Sequence, residues 1–251
     1  MNSLEDERRI AAAVSNLIRL SQRRYEPCFS DFLSDSEQMM AQRELIVQSA
    51  EGYSFWGGFE GAQRAMLCVY PEYCEPQRSA YPIDALHLKF RKSASLTHRD
   101  FLGALMALGL KREALGDIVI TEGMATFFIK SELAPYVRGQ LEKVGREGVT
   151  FSEKGVDLST VTQKFEEKSC TVSSLRVDAI VCECTGLSRG KAQAAVKSGI
   201  VSLNALPVLD ADRRVESGDK ISVRGFGKFI VSFDGSMSKK GKYRITVSKY
   251  L

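Results

Sequence analysis

Between residues 83 and 151, apolar residues recur with the two-residue period of strands in some segments and with the period of a helix in others. This change of period restricts the fold more than any other feature of the chain. Short apolar or alternating runs between turn residues predict four strands, at 83–90, 117–120, 125–130 and 148–151. Apolar residues at helical spacing predict two helices, from His98 to Leu108 and from Glu132 to Val144. The resulting order is strand, helix, strand, strand, helix, strand, with Glu122-Gly123 as the turn between the two middle strands.

This order within about 70 residues is the split βαβ arrangement of ferredoxin-like folds, which RNA-recognition domains share. The aromatic signature with which such domains stack on bases is absent from the sequence. Phe127 and Phe128 point to opposite faces of one predicted strand, so at most one of them can contact a base and the other belongs to the core. The fold alone therefore does not establish RNA binding by this region.

The flanking segments complete an α+β chain. The N-terminal segment is predicted to be mainly helical, because Ile10 and Val14 recur at helical spacing and Ser34 or Asp35 can cap a second helix. An apolar run at 65–70 adds a strand, and 152–172 is polar enough to be a connector or an edge segment. The predicted domains are an N-terminal α+β region (1–80), a ferredoxin-like domain (81–153), a linker (154–172) and a C-terminal module (173–251).

The charge is distributed unevenly along the chain. Residues 171–251 contain 14 Lys and Arg against 7 Asp and Glu, whereas residues 1–170 contain 21 against 24. The overall net charge of +4 therefore combines a basic C-terminal module with a slightly acidic body. Such a module favours a polyanionic partner, although a solvated basic face without a partner gives the same count.

Two short helices open the basic module. Ser173 or Ser174 can cap the first, LRVDAIVCEC, which ends at Gly186. Ser188 can cap the second, RGKAQAAVKSG, which Gly199 terminates. Three strands follow, IVSLN, KISVR and KFIVSF, and a glycine turn separates the last two.

The pattern over residues 173–230 resembles the S4 RNA-binding module. The resemblance rests on LRVDAIV, LSRGKAQAAVKSGIVSLN and VESGDKISVRGFGKF in this order. It implies that the paired helices present a basic surface to structured RNA, because several phosphates must be neutralised together for useful affinity. The implied RNA-binding residues are Arg176, Ser188, Arg189, Lys191, Lys197, Asn204, Arg224 and Lys228.

The C-terminal tail adds four candidate contacts, Lys239, Lys240, Lys242 and Arg244. Apolar residues alternate with basic ones at the end of this tail, as in a strand with one basic face. The tail can therefore extend the RNA surface, or its charges can protect an edge strand from pairing with other chains.

The whole chain resembles the bacterial YlmH family. A helical N-terminal region, a middle domain containing THRDFLGALMALGLKREALGDIV and a C-terminal S4 module carry the resemblance. The family is implicated in cell division and in ribosome-associated handling of stalled nascent chains on the large subunit. The resemblance thus implies ribosomal RNA, tRNA or both as partners, and the large ribosomal subunit as the place of binding.

Signals for catalysis or metal binding are weak. Cys182 and Cys184 are one residue apart on a predicted helix, so their side chains diverge, and we expect the cysteines to be reduced thiols. His98 follows Thr97, which is a credible helix cap in the THRD segment. No nucleophile, base and orienting group can be assembled, so the sequence predicts no catalytic residue, no cofactor and no metal.

These features predict a non-enzymatic, cytoplasmic, monomeric RNA-binding protein. No apolar run is long enough to span a membrane, and the first residues lack the apolar core of a signal peptide. One alternative is an RNA-modifying enzyme, such as a pseudouridine synthase, that uses the S4 module for targeting, although its G-R-L-D-type motif is missing. The other is an interaction scaffold of the cell-division machinery.

Overall fold

The computed structural model describes residues 3–158, 165–204 and 206–250. They form two compact units, one within residues 1–161 and one within residues 162–251. None of the helices in the described ranges combines the length and the apolar character that crossing a bilayer requires.

The first unit begins with a small antiparallel sheet and two helices. The helices are α1 (Ser3–Arg24) and α2 (Asp35–Val47), and the strands are β1 (Cys28–Leu33), β2 (Tyr53–Trp56) and β3 (Ala65–Val69), in the order β1-β3-β2. Of the two predicted capping residues, Ser34 caps α2: its hydroxyl accepts the Glu37 N–H at 3.4 Å, and its own N–H donates to the Glu37 carboxylate at 2.8 Å in a capping box. Ile10, Leu45 and Leu67 share a buried core, which explains the helical apolar spacing of α1.

The same unit continues with a second sheet. Its main elements are β4 (Ile83–Lys89), α3 (His98–Ala107), β5 (Leu115–Thr121), β6 (Met124–Lys130), α4 (Ala134–Gln140) and β9 (Thr150–Ser152). The strand order is β5-β6-β4-β9, and every neighbouring pair is antiparallel. Leu86, Phe101 and Phe127 are among the residues of the core between this sheet and its helices. Thr97 is the residue that caps α3, and its backbone N–H donates to Asp100 at 2.8 Å.

The second helix of this sheet is shorter than the sequence predicted. It ends at Gln140, and the following residues form a hairpin of β7 (Lys143–Val144) and β8 (Glu147–Gly148). The predicted end of this helix at Val144 was wrong. Leu141 and Val144 are both buried, and buried residues on one face of a helix have the same spacing, so the pattern resembled another helical turn. They reach the core from a loop and a short strand, which the apolar spacing alone does not distinguish from another helical turn.

The sheet face opposite α3 and α4 packs against the N-terminal sheet. Phe128 lies on this face, is 2% exposed, and stacks on Phe59 with 5.0 Å between the ring centroids. Phe32 and Met66 belong to the same second core. Phe127 and Phe128 thus join different cores, as their alternation predicted, but both are buried and neither is available to stack on a base.

Polar contacts fix the same packing. Arg64 donates from Nε to the Leu115 carbonyl at 2.8 Å and from Nη2 to the Phe32 carbonyl at 2.9 Å. Asp117 accepts the backbone N–H of Arg64 at 3.3 Å, and burial raises the pKa of this carboxyl group. The two segments predicted to be separated at residue 80 therefore share a core and partly buried hydrogen bonds within one compact unit.

The second unit is a six-stranded antiparallel sheet with two helices. In chain order the elements are β10 (Phe165–Val172), α5 (Val177–Thr185), α6 (Arg189–Lys197), β11 (Val201–Leu203), β12 (Leu206–Pro207), β13 (Lys220–Val223), β14 (Gly227–Ser232) and β15 (Tyr243–Tyr250). The strand order is β10-β15-β14-β13-β11-β12. Ile180, Val196, Ile221 and Val231 belong to one core that joins both helices to the same face of the sheet.

Two sequence expectations for this unit are corrected. Residues 165–172, placed in the linker, form strand β10 at the sheet edge and pair with β15 along the whole length of β10, which confirms the edge-segment alternative for these residues. The rest of the polar stretch at 159–164 lies outside the described residues. The first helix begins at Val177 with Arg176 as the capping residue, so neither Ser173 nor Ser174 caps it.

The tail strand β15 is not an edge strand. It lies between β10 and β14 and pairs with both. Protection of an edge therefore does not explain its basic residues, since β10 occupies that edge.

The packing of Phe128 predicts different effects for two glycine substitutions. Gly58 (φ 102°) and Gly61 (φ 83°) both have positive φ, but an added Cβ would lie 2.2 Å from the Phe128 ring at Gly58 and would meet nothing within 4 Å at Gly61. We expect Gly61→Ala to cost about 1–2 kcal/mol of unfolding free energy through its backbone alone. Gly58→Ala should cost about 1–3 kcal/mol more. Urea unfolding followed by the fluorescence of Trp56 measures both, and equal losses would contradict the packing.

Candidate nucleic-acid interface

A buried carboxylate organises the basic surface of the second unit. Asp178, in the first turn of α5, is 0% exposed. Its Oδ2 accepts hydrogen bonds from Gln193 Nε2 at 2.8 Å and from Arg189 Nε at 3.2 Å, both on α6. Arg176 donates to the same carboxylate from Nε at 3.2 Å and from Nη2 at 3.3 Å. One carboxylate therefore connects α5 to α6 and holds two arginines beside each other.

Asp178 keeps its charge in spite of its burial. Burial acts to raise the pKa of this carboxyl group, but the hydrogen bonds from Gln193, Arg189 and Arg176 outweigh it, so the pKa lies below its ordinary value. The arginine side chains remain open to solvent, with 53% of Arg189 and 35% of Arg176 exposed. Arg176 also pairs with Asp212. Each guanidinium group carries five N–H donors, so donors remain for an external anion.

Local sequence explains how the two helices come together. Gly186 closes α5 with a left-handed φ of 73°, as its position predicted. Ser188 is the capping residue of α6, also as predicted, but its hydroxyl accepts no capping hydrogen bond. Ala192 and Ala195 are buried, and these small side chains let the helix approach the core closely.

Lysines extend the positive charge along α6. Lys191 and Lys197 are exposed, and neither forms an ion pair within the described parts of the chain. Both lysines lie outside the buried face of α6, on which Val196 is 0% exposed. The predicted residues Arg189, Lys191 and Lys197 are thus all on the solvent side of α6.

Two further arginines lie beside α5, and the sequence analysis missed them. The Val177 N–H donates to the Arg213 carbonyl at 2.9 Å, and Arg176 forms a backbone bridge with Arg214. Both side chains are exposed. Arg213 and Arg214 lie in a polar turn region without hydrophobic periodicity. The only sign in the sequence that they could bind RNA is that two arginines are adjacent, because their proximity to Arg176 depends on the tertiary fold.

The glycine turn after β13 lies between two of the predicted RNA-binding residues, Arg224 and Lys228. The Arg224 N–H donates to the Ile200 carbonyl at 3.0 Å, which places Arg224 next to the end of α6. Lys228 precedes Phe229, which is buried in the core below the helices. Because neighbouring strand residues point to opposite faces, Lys228 lies on the sheet face opposite the helices.

Asn204 is held by hydrogen bonds within the protein. Its Nδ2 donates to Asp219 at 2.7 Å, and its Oδ1 accepts the Lys220 N–H at 2.9 Å. Its backbone has a positive φ of 49°. Since both ends of the amide group are engaged within the protein, Asn204 shapes the turn between β11 and β12, and its contact with RNA stays a prediction.

The tail residues form a second group at the other end of the sheet. Lys239, Lys240 and Lys242 are exposed between β14 and β15. The connection that carries these lysines follows Ser232, the last residue of β14, and β14 begins at the glycine turn. The six residues of β14 therefore separate the glycine turn from the tail lysines by about 17 Å. We call the set Arg176, Arg189, Lys191, Lys197, Arg213 and Arg214 the helix-side surface.

Two observations on the described residues bear on metal binding and thiol chemistry. No group of three or more His, Cys, Asp or Glu side chains that could hold a metal occurs among them. The six cysteines are free thiols, and burial raises the pKa of Cys68 and Cys184 to about 12. These two thiols are therefore protonated at neutral pH and are poor nucleophiles.

The Asp178 contacts predict a pH-dependent stability. The pKa of Asp178 is lower in the folded state than in the unfolded chain, so its ionisation stabilises the fold above about pH 4 and this contribution is lost as the pH falls through the folded pKa. We expect Asp178→Asn to lower the stability of α5 and α6 by about 3 kcal/mol at pH 7, and the difference from the wild type should shrink below about pH 4.

Hydrogen exchange of the α5 and α6 amides, corrected for intrinsic rates, measures this stability at each pH. The matched control is Asp212→Asn, because Asp212 also pairs with Arg176 but its side chain is 66% exposed. This change should cost less than about 1 kcal/mol. A cost of Asp178→Asn that stays constant from pH 7 down to about pH 2 would show that its charge does not hold the helices.

Comparisons with known proteins relate the whole chain to one family. A family model described as "Putative RNA-binding domain in YlmH" matches residues 76–157. The "Ribosome-associated protein quality control protein P2" of Bacillus subtilis (strain 168) is 34% identical over 247 residues, which cover 98% of this chain and 96% of that protein. The solved cell division protein ylmH from Streptococcus pneumoniae has a similar fold, with a TM-score of 0.54 and 22% identity over 64% of this chain and 98% of that chain. With 34% identity along almost its full length, this chain belongs to the YlmH family.

Proposed function

We propose that this protein binds ribosomal RNA, tRNA or both on the ribosome and acts in the rescue or quality control of stalled translation. The observation that carries the proposal is the helix-side surface, where Asp178 holds two arginines among further exposed cations. The name of the Bacillus subtilis relative supports ribosome association and quality control, and the description of the family model supports RNA binding.

The proposal assigns a domain type to each part of the chain. The second unit is an S4 RNA-binding domain, supported by two packed helices followed by the glycine-turn hairpin of β13 and β14. The sheet of β4, β5, β6 and β9 is a ferredoxin-like domain, supported by its βαββαβ order and antiparallel strand pairing. The first two proposed domains stay at 1–80 and 81–153, and with β10 added the last domain begins at residue 165 instead of 173.

The S4 domain is the main RNA-binding site in this proposal. The ferredoxin-like sheet has the face on which RNA-recognition domains stack bases, but here that face is packed against the N-terminal sheet through Phe128. Any RNA or protein contact of the middle domain must then use another surface. We further propose that the protein acts by binding rather than catalysis, as a cytoplasmic monomer, with the large ribosomal subunit as its partner.

Two charge-removing variants test whether RNA binds the helix-side surface. Lys191→Gln with Lys197→Gln removes two phosphate contacts without touching the Asp178 network. We expect a loss of about 10-fold in affinity for ribosomal RNA at physiological salt, with a salt slope smaller by about 1.8. The matched control is Arg8→Gln with Arg23→Gln, which removes the same charge from exposed positions of α1. Filter binding measures both, and equal losses would remove the helix-side surface from the proposal.

The unmodified protein should show a strong dependence on salt. If about five phosphates are engaged, the slope of log K against log salt concentration should lie near −3.5 to −4.5. Affinity should then fall on the order of a hundredfold between 50 and 200 mM salt. Co-sedimentation with ribosomal subunits at graded salt measures this slope. A flat response would contradict phosphate contacts and would favour a protein partner, as for a division scaffold.

A further inference from the structure

An open cleft lies on the second unit at the tail end of its sheet. It has a volume of about 750 Å³ and is bordered by β10, β14, β15 and the chain that joins β14 to β15. Seven of its twelve lining residues carry a hydroxyl group, and Arg244 and Asp234 are its charged residues. The cleft therefore offers many neutral donors and acceptors beside one guanidinium group.

Strand register arranges three of these hydroxyls in a row. Thr246 on β15 pairs with Ser169 on β10 and with Ser232 on β14. Paired residues share one face, so the three side chains lie side by side at the usual strand spacing of about 4.8 Å. Arg244 is two residues from Thr246 and lies on the same face, and Thr171 is its partner on β10.

These groups are not used by the protein itself. Among the described residues, the side chains of Ser169, Ser232, Thr246 and Arg244 form no hydrogen bond or ion pair to another part of the chain. The Asp234 carboxylate, by contrast, is hydrogen-bonded within the protein, because it accepts the backbone N–H of Ser236 at 2.9 Å. The hydrogen bonds of Ser236 and, to a smaller extent, the charge of Arg244 lower the pKa of Asp234. No ion pair joins Arg244 to Asp234 among the described residues, so the guanidinium N–H donors and the neighbouring hydroxyls suit an anionic ligand that also carries hydroxyl groups.

The surroundings indicate what kind of anion this is. Lys239, Lys240 and Lys242 are exposed in the chain that borders the cleft, so the positive charge continues beyond Arg244. β15 is an interior strand, so these charges do not serve to protect an edge. The ribose 2′-hydroxyl both donates and accepts hydrogen bonds, and it distinguishes RNA from DNA.

We propose that this cleft binds the ribose–phosphate backbone of a single RNA strand, with Arg244 on a phosphate and the row of Ser169, Thr246 and Ser232 on 2′-hydroxyl groups. This inference rests on the proposed function and adds a second, chemically distinct site to it. The helix-side surface is made of cations and responds to phosphate charge. The cleft is made mainly of hydroxyls and selects ribose.

The test compares single strands of RNA and DNA on the full chain. The probes are fluorescein-labelled 12-nucleotide oligouridine and oligodeoxyuridine, and the readout is fluorescence anisotropy. The wild type should bind the RNA at least about 5-fold more tightly than the DNA. Ser169→Ala, Ser232→Ala and Thr246→Val together should weaken RNA binding about 5- to 20-fold and leave DNA binding unchanged, because each neutral hydrogen bond contributes a few-fold.

The matched control removes hydroxyls from the same sheet face outside the cleft. Ser202 and Ser222 pair with each other on β11 and β13, and Ser202→Ala with Ser222→Ala should leave both affinities unchanged. Arg244→Gln should weaken RNA and DNA alike, with a salt slope smaller by about 0.7. If the triple variant does not fold, 2′-O-methyl oligouridine on the wild type replaces it and should bind as weakly as the DNA.

The outcomes separate this inference from the proposed function. A wild type without preference for RNA, or a folded triple variant with unchanged RNA binding, overturns the cleft site. If the double variant Lys191→Gln with Lys197→Gln nevertheless binds ribosomal RNA more weakly than the wild type, the proposed function is retained. A wild type that binds no RNA at all overturns both.

Discussion

The ionised, buried carboxylate of Asp178 is the contact on which the arrangement of the C-terminal unit depends. Arg176 and Arg189 would repel each other at this proximity, and the carboxylate compensates both while Gln193 completes its hydrogen bonding. The backbone N–H of Asp178 also donates to the Ala211 carbonyl at 3.2 Å, so the loop that carries the neighbouring arginines is tied to the same turn. The buried carboxylate therefore fixes two guanidinium groups at the surface, where part of each remains exposed to solvent.

The first unit shows why a fold shared with RNA-binding domains does not determine the RNA-binding surface. Its second sheet has one face on its own helices and the other on Phe32 and Met66 of the N-terminal sheet. The hydrogen bonds of Arg64 to main-chain carbonyls close this contact. Aromatic residues that would stack on bases in an open sheet contribute here to stability. This leaves the basic C-terminal unit as the better candidate for RNA.

Features set by neighbouring residues were predicted from the sequence, and features set by tertiary pairing were not. The cap at Ser34 and the left-handed stop at Gly186 need only a few consecutive residues, so their patterns sufficed. The polar strand β10 has no apolar alternation, because it is an edge strand held mainly by its pairing with β15. The same limit applies to Lys228, whose face depends on the sheet, and to Arg213, which a loop brings to α5.

The central claim is that RNA binds the C-terminal unit. It is tested most directly by ultraviolet crosslinking of the full chain to ribosomal subunits, followed by mass spectrometry of the crosslinked peptides. The account predicts crosslinks in residues 169–176, 186–200, 211–228 and 232–246, which contain the helix-side surface and the cleft. Crosslinks confined to residues 83–152 would contradict it and would place the RNA on the ferredoxin-like sheet or its helices.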